Sequence, residues 1–337
     1  MMPLTIRIGK MRTKTMSKGN IKVAGLVLGM VFLTACSGKS GQKVSTAEEI
    51  SITTAEESGD YSEGVKLAKE KVEEKDGEVN IISTSPAVTE ICEKLNLSLV
   101  GVAESSLYEI PEVYEDVTTV GTSMSPDMEI IGSLNPDWIL SPLSLQSDLE
   151  PKYEELDTDW AFVNVNSLQG MYTSILELGY IFDREKEAEA LVKDYEDFLE
   201  SYQAKNDDEE SPKVLILMGL PGSYVIATPE SYVGNLVEIA GGENVYEGEE
   251  DAFISVNTED MKTKEPDVIL LAAHALPDEV SEMFEEEFAT NDIWQHFEAV
   301  QNNQVYELTY DYFGMSANFE YQNALEELQG YLYSNEE

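Results

Sequence analysis

Cysteine, histidine and positive charge are all scarce in this chain, and each shortage closes off a class of function. Among 337 residues there are two cysteines, Cys36 and Cys92, and two histidines, His274 and His296. Histidine-based acid/base catalysis has little to work with, and paired zinc cysteines are absent. There is no dinucleotide glycine fingerprint, zinc-protease helix motif or hydrolase serine elbow. Gly38, Lys39 and Ser40 mimic the end of a phosphate-binding loop, but its first glycine would fall on Leu33. Basic residues number 21 against 66 acidic ones, a net charge of −45. Such a surface repels nucleic acid and anionic lipid headgroups, so nucleic-acid binding is excluded. The missing acid/base constellation also argues against an enzyme. Binding is the function class that remains.

Long apolar runs are missing too. Arg7, Lys10, Arg12, Lys14, Lys18 and Lys22 precede an apolar stretch from Val23 to Leu33. This is the charge and length order of a secretory signal, and the stretch is far short of the ~20 residues that span a bilayer. It ends in Leu33, Thr34, Ala35 and Cys36, which looks like a bacterial lipoprotein cleavage box with Cys36 as the lipidated first mature residue. The alternative is ordinary cleavage after Ala35, with Cys36 an incidental thiol. Lipidation is preferred, because with only Cys92 as company an exported Cys36 has no evident disulfide use. Cys92 lies in an apolar helical pattern and reads as core. Residues 1–36 hold six of the basic residues and no acid, so the mature chain carries 15 against 66, net −51.

Residues 1–35 are thus expected to be a signal peptide and residues 36–78 a flexible tether rich in Ser, Thr, Gly, Lys and Glu, helical around Val65 to Glu74. The remaining ~260 residues exceed one ordinary core, which predicts two domains. Strand and helix patterns alternate in both halves, and Pro136-Asp137-Trp138-Ile139-Leu140 is echoed by Pro266-Asp267-Val268-Ile269-Leu270. The fold class is therefore α/β, with parallel sheets in two Rossmann-like lobes at 79–182 and 212–337. Ala188, Leu191, Val192, Tyr195, Leu199 and Tyr202 recur at helical spacing, so residues 183–206 read as one long connecting helix. A ligand cleft between the lobes follows.

His274 follows the apolar strand Val268 to Ala273, where residues just past a strand's carboxyl end line the crevice of open α/β folds. A lone histidine is as a rule a hydrogen-bonded structural group, and on residue chemistry alone that reading stands. His296, within Asp292 to Phe297, reads as helix packing. Met124 lies in Gly121-Thr122-Ser123-Met124-Ser125-Pro126-Asp127-Met128-Glu129, with Ser125 read as N-cap and Pro126 as first-turn residue. An apolar side chain projecting before a helix needs a partner. A thioether and an imidazole across a cleft are a known haem-iron pair.

From about Val79 to Tyr333 the chain resembles the haem-receptor lipoproteins of the iron-regulated surface determinant system of Gram-positive bacteria. These belong to the two-lobed, class III binding proteins of ABC importers for haem, siderophores and cobalamin. The resemblance rests on Gly121 to Glu129, on Val214 to Thr228 with Gly219, Pro221, Gly222, Ser223 and Tyr224, and on Ala272 to Val280. Asn291 to Val305 and Phe313-Gly314-Met315-Ser316-Ala317-Asn318 also match. It implies haem b as transported ligand, with axial iron ligands at Met124 and His274; Met315 or Met128 would replace Met124 if the cleft closes differently. A siderophore or cobalamin in the same fold is the alternative. Ala275 and Leu276 depart from an expected glycine and methionine. The resemblance further implies an ABC permease and its ATPase as partners, docked by one exposed glutamate per lobe at Glu90 and Glu238, and upstream cell-surface haem-relay proteins. It places the protein on the extracytoplasmic face of the membrane, held only by its lipid. With so few cations, the haem propionates are expected to be held by backbone donors at helix starts near Ser85 and Ser125, or by water.

Overall fold

The computed structural model describes residues 5–7, 61–203 and 210–333. Cys36 and most of the expected leader and tether lie outside the described residues. Thr5–Arg7, inside the expected leader, is a short strand. The helix expected near Val65 is real but is not part of a tether. Ser62 caps Glu63–Glu74, Val65 and Ala68 are fully buried, and Lys69 and Lys71 pair with Asp183 and Asp159. The folded body therefore reaches back to this helix instead of starting at residue 79.

In the first lobe the strands are β1 (Thr5–Arg7), β2 (Ile81–Ser83), β3 (Leu99–Val102), β4 (Thr118–Thr119), the small hairpin β5 (Gly121–Thr122) and β6 (Ser125–Pro126), β7 (Trp138–Pro142) and β8 (Asp159–Val163). The sheet runs β1-β8-β7-β2-β3-β4, parallel throughout except for the antiparallel edge strand β1. Every residue of β2 and β7 is buried, as expected of parallel strands covered by helices on both faces.

The second lobe has β9 (Lys213–Leu220), β10 (Ser223–Ala227), β11 (Glu243–Asn244), β12 (Phe253–Ile254), β13 (Val268–Ala273) and β14 (Val305–Glu307). Its order is β12-β10-β9-β13-β14, with β11 also on β9. Strands β9, β11, β13 and β14 are parallel, but β10 runs antiparallel to both its neighbours, β9 and β12, so the expectation of parallel sheets in both lobes is corrected for the second. The reason is local: Pro221 and Gly222, the latter at φ +78°, turn β9 back on itself.

The repeated Pro-Asp segment does the same work in both lobes. Asp137 accepts a bond from the Asn80 amide at 2.7 Å and returns its own amide to the Asn80 carbonyl at 2.8 Å. Asp267 does likewise with Lys213, at 2.8 Å in each direction. Each aspartate thus ties the entry of one central strand to its neighbour. The preceding residues, Asn135 and Glu265, both take a left-handed φ, +47° and +50°.

The lobes are joined by the helix Glu185–Gln203, 19 residues and about 28 Å long. Its stripe of Ala188, Val192, Tyr195, Leu199 and Tyr202 is buried. Tyr195 stacks on Tyr172 at 4.2 Å, Tyr321 meets both rings edge-on, and the Tyr202 hydroxyl donates to the Leu325 carbonyl at 2.7 Å. Closer to the strand ends, the Leu168 amide donates to Asn235 Oδ1 at 3.0 Å and the Ala317 amide to the Val165 carbonyl at 2.7 Å. These contacts bring the carboxyl-end loops of both sheets to one junction.

Candidate functional site

Met124 sits at the tip of the β5–β6 hairpin, whose register pairs Thr122 with Ser125. The expectation that Ser125 caps a helix is corrected: Ser125 is in a strand, and Asp127 is the N-cap of Met128–Ser133, accepting from the Glu129 and Ile130 amides at 3.0 Å. The carboxylate won the cap, while Gly121 at φ +85° reverses the chain. A Cβ there would meet the Ser125 carbonyl at 2.9 Å. The Asp127 amide bonds to the Val120 carbonyl at 2.7 Å and the Glu104 amide to the Gly121 carbonyl at 2.9 Å, pinning the hairpin to the sheet end. Met124 projects beyond it, 71% exposed. Met128 packs against the first-lobe core, whereas Met315 is exposed on the loop after β14.

His274 is the first residue past β13, between β9 and β14, and its amide donates to the Gly219 carbonyl at 2.9 Å. His274 is exposed, yet the surrounding protein partly desolvates its imidazole and lowers its pKa below the ordinary histidine value. A neutral imidazole is the form that ligates iron. The next residues explain its pose. Leu276 adopts a left-handed φ of +49° and caps the helix Pro277–Thr290, an uncommon conformation for a branched residue and a mark of strain at functional loops. Helix and strand approach closely because residue 219 is glycine: a Cβ would lie 2.3 Å from Val280 Cγ1 and 2.7 Å from Phe284 Cε2.

Exposed apolar residues mark the rest of the site. Of the seven large apolar side chains exposed among the described residues, five are Leu107, Tyr108, Met124, Leu276 and Met315. All five stand on loops that leave the carboxyl ends of parallel strands: β3, β4, β13 and β14. Ser105 Oγ shapes the first of these loops by accepting from the Leu107 and Tyr108 amides, both at 3.1 Å. Tyr108 then reaches the other lobe, stacking on Tyr310 with ring centres 6.3 Å apart. An apolar rim of this kind, drawn from two lobes, suits a large apolar ligand. Sequence reasoning found Met124 but missed Leu107 and Tyr108. The signal was present in Ser105-Ser106-Leu107-Tyr108, a turn former followed by two large apolar residues.

The remaining candidates divide. Cys92 is fully buried, and burial pushes its thiol up to about 12, so it is inert core. His296 ends a short 3-10 turn and is exposed, which corrects its expected packing role; Trp294 and Phe297 fill the core on either side. Ser85 caps Pro86–Lys94 by accepting from the Val88 amide at 3.2 Å. Glu90 is half-buried, not exposed as expected. Its carboxyl is raised chiefly by burial, with Glu93 and Glu320 adding and Lys94 opposing. Glu238 is exposed on Tyr232–Ile239, its carboxyl raised by local desolvation and then by Glu247 and Glu230. The two are not equivalent in the repeat. Counting from the caps Ser85 and Ser231, the position of Glu90 corresponds to Leu236. Acids that do correspond are Glu129 and Glu259, both exposed, each in the first turn of the helix that precedes the Pro-Asp segment. No helix among the described residues is long and apolar enough to cross a membrane.

Comparison with known proteins gives concordant results. The periplasmic binding protein family matches residues 81–312. The high-affinity haem uptake system protein IsdE of Staphylococcus aureus is 37% identical over 315 residues, 92% of this chain and 96% of that protein. Two solved structures cover 77% of this chain and the whole of their own. One is an ABC transporter substrate-binding protein from Listeria monocytogenes, 44% identical with a TM-score of 0.73. The other is S. aureus IsdE complexed with haem, 40% identical with a TM-score of 0.72. The vitamin B12 binding protein BtuF of Vibrio cholerae, 21% identical with a TM-score of 0.60 over 75% of this chain and 96% of its own, shares the fold.

Proposed function

The chain belongs to the periplasmic binding protein family, and from that premise we propose that it is the substrate-binding protein of an ABC importer that captures haem for iron acquisition. The observation that carries this reading is the gathering of five of the seven exposed large apolar side chains on the strand-end loops of both lobes, a thioether among them, with the neutral imidazole of His274 on one of the same loops. Haem is a flat apolar ring whose iron accepts one ligand on each face. Met124 from the first lobe and His274 from the second are the proposed axial pair, and a methionine–histidine pair favours a raised reduction potential. Ligand capture needs no chemistry from the protein beyond binding and release.

Delivery requires recognition by a permease and its ATPase. The docking acids are proposed to be Glu129 and Glu259, one exposed carboxylate per lobe at matching places, in preference to the half-buried Glu90 and its unmatched partner Glu238. Cys36 is proposed to carry the lipid that holds the protein on the extracytoplasmic face of a Gram-positive cell membrane, where cell-surface relay proteins would supply the haem. Membrane fractionation of C36A-expressing cells tests the anchor: the protein moves to the medium, whereas unchanged membrane association contradicts it.

Titration separates haem from its alternatives. The purified chain is expected to take up one equivalent of ferric haem with a strong violet absorbance band, and neither cobalamin nor a ferric siderophore should compete. Tight binding of either competitor, with haem left free, would overturn the reading.

A further inference from the structure

A ligand with two carboxylates poses a problem here. The loops that rim the site, residues 103–111, 119–128, 272–278 and 309–320, contain no lysine or arginine. Lys94 stands over the Phe319 ring at 5.7 Å, but the loops themselves offer a negative group only neutral donors. One such donor stands out at the lobe junction: the Tyr310 hydroxyl is buried with no hydrogen-bond partner, an unfavourable condition that a ligand acceptor would relieve. Tyr108, from the opposite lobe, stacks on the Tyr310 ring at an interplanar angle of 20°. Its hydroxyl lies near enough to the Tyr310 hydroxyl for each to act on the other, although the pair falls short of hydrogen-bond geometry. Gly314 makes room for it, since a Cβ there would lie 2.9 Å from the Tyr108 hydroxyl. Meanwhile the Tyr108 side chain keeps 39% exposure on the cleft rim.

We propose that the Tyr108 and Tyr310 phenols, one from each lobe, form a two-donor subsite for a carboxylate of the bound ligand. The proposal rests on the haem reading, in which that carboxylate is a porphyrin propionate. Burial raises both phenol pKa values, so each keeps its proton and donates across the physiological range. Asp311 is the unfavourable neighbour of both, but it is exposed and its charge is screened. Because one phenol comes from each lobe, a carboxylate bound between them also ties the lobes together. This explains how so acidic a protein holds an anionic edge, and it replaces the expected helix start at Ser125, which does not exist.

The test compares ferric haem b with its dimethyl ester, both presented in detergent micelles, on the full chain and on Y108F, Y310F and the double variant. Phenylalanine keeps the stacking, so folding is preserved and is checked by thermal denaturation. The wild-type chain is expected to prefer haem over the ester. Each variant should lose about tenfold or more in affinity for haem and little for the ester, as expected for a hydrogen bond to a charged group. The absorbance spectrum of the bound iron should stay the same. Unchanged haem affinity, or equal losses for both porphyrins, overturns the subsite while leaving the haem reading intact. A wild-type chain that binds neither porphyrin overturns both.

Discussion

At the scale of single residues, the site is a matter of which side chains stay uncovered. Met124, before a helix start, and His274, after an apolar strand, were noticeable by position, but their pairing as iron ligands came from the family resemblance and not from residue chemistry alone. Their settings were less so: the sequence offered Ser125 as a helix cap, but the Asp127 carboxylate two residues later is the better acceptor and took the role. Leu276 was recognised as a departure, but nothing local announced its left-handed backbone. The titration of His274 makes a checkable point. Desolvation lowers its pKa, so the unfolded chain takes up the proton first. The stability tied to its neutral form is therefore present above the unfolded value and lost as pH falls through the lower folded value. NMR titration of the haem-free protein should find the imidazole neutral at pH values where an ordinary histidine is already protonated, and an unshifted or raised value would contradict the site's electrostatics.

At the scale of elements, the loop bearing His274 is placed by how the helix Pro277–Thr290 sits on β9 and β13. Two features hold it. Gly219 permits the close approach near its start. At its end Glu287 accepts bonds from Asn291 Nδ2 at 2.8 Å, Tyr224 Oη at 2.9 Å and Trp294 Nε1 at 3.0 Å. Burial alone would push this carboxyl up, but the three donated bonds outweigh it and hold it below the ordinary glutamate range. Its contribution is present above the unfolded value and lost as pH falls through the depressed folded one. We expect E287A to cost about 2–3 kcal/mol in chemical denaturation, since the fully buried Trp294 is left with an unpaired indole N–H. G219A should cost about 1–3 kcal/mol through overpacking against Val280 and Phe284. It should also weaken haem binding, because His274 is bonded to this residue's backbone. A G219A protein with unaltered melting and affinity would show that the close approach is unimportant. Neither interaction could be read from sequence, because each joins residues whose proximity depends on the β9–β10 turn and on the helix returning over it.

At the scale of the whole molecule, the Pro-Asp echo was the most informative part of the sequence, and the structure gives its cause. Asp137 and Asp267 lie 130 positions apart and make the same pair of bonds to a neighbouring strand, as do the flanking left-handed residues Asn135 and Glu265 in their own conformation. The same offset relates Glu129 to Glu259. Charge reversal of this pair, E129K with E259K, should abolish haem uptake by cells while leaving haem binding to the purified protein unchanged; E238K alone should leave both intact. Uptake that survives the first pair would dismiss them as docking groups. The reversed strand β10 was missed because the alternation of strands and helices carries no direction, and only the Pro221-Gly222 turn betrayed it. The long connecting helix and its stacked tyrosines argue for small lobe motions, so ligand capture depends on what the two rims present to each other.

The most direct measurement is the absorbance spectrum of the haem-loaded protein and of M124A and H274A, recorded side by side. With Met124 and His274 as the axial pair, the wild type is expected to give a low-spin six-coordinate spectrum, and each variant a spectrum showing that one axial ligand has been lost. Wild-type ligation persisting in both variants would contradict it.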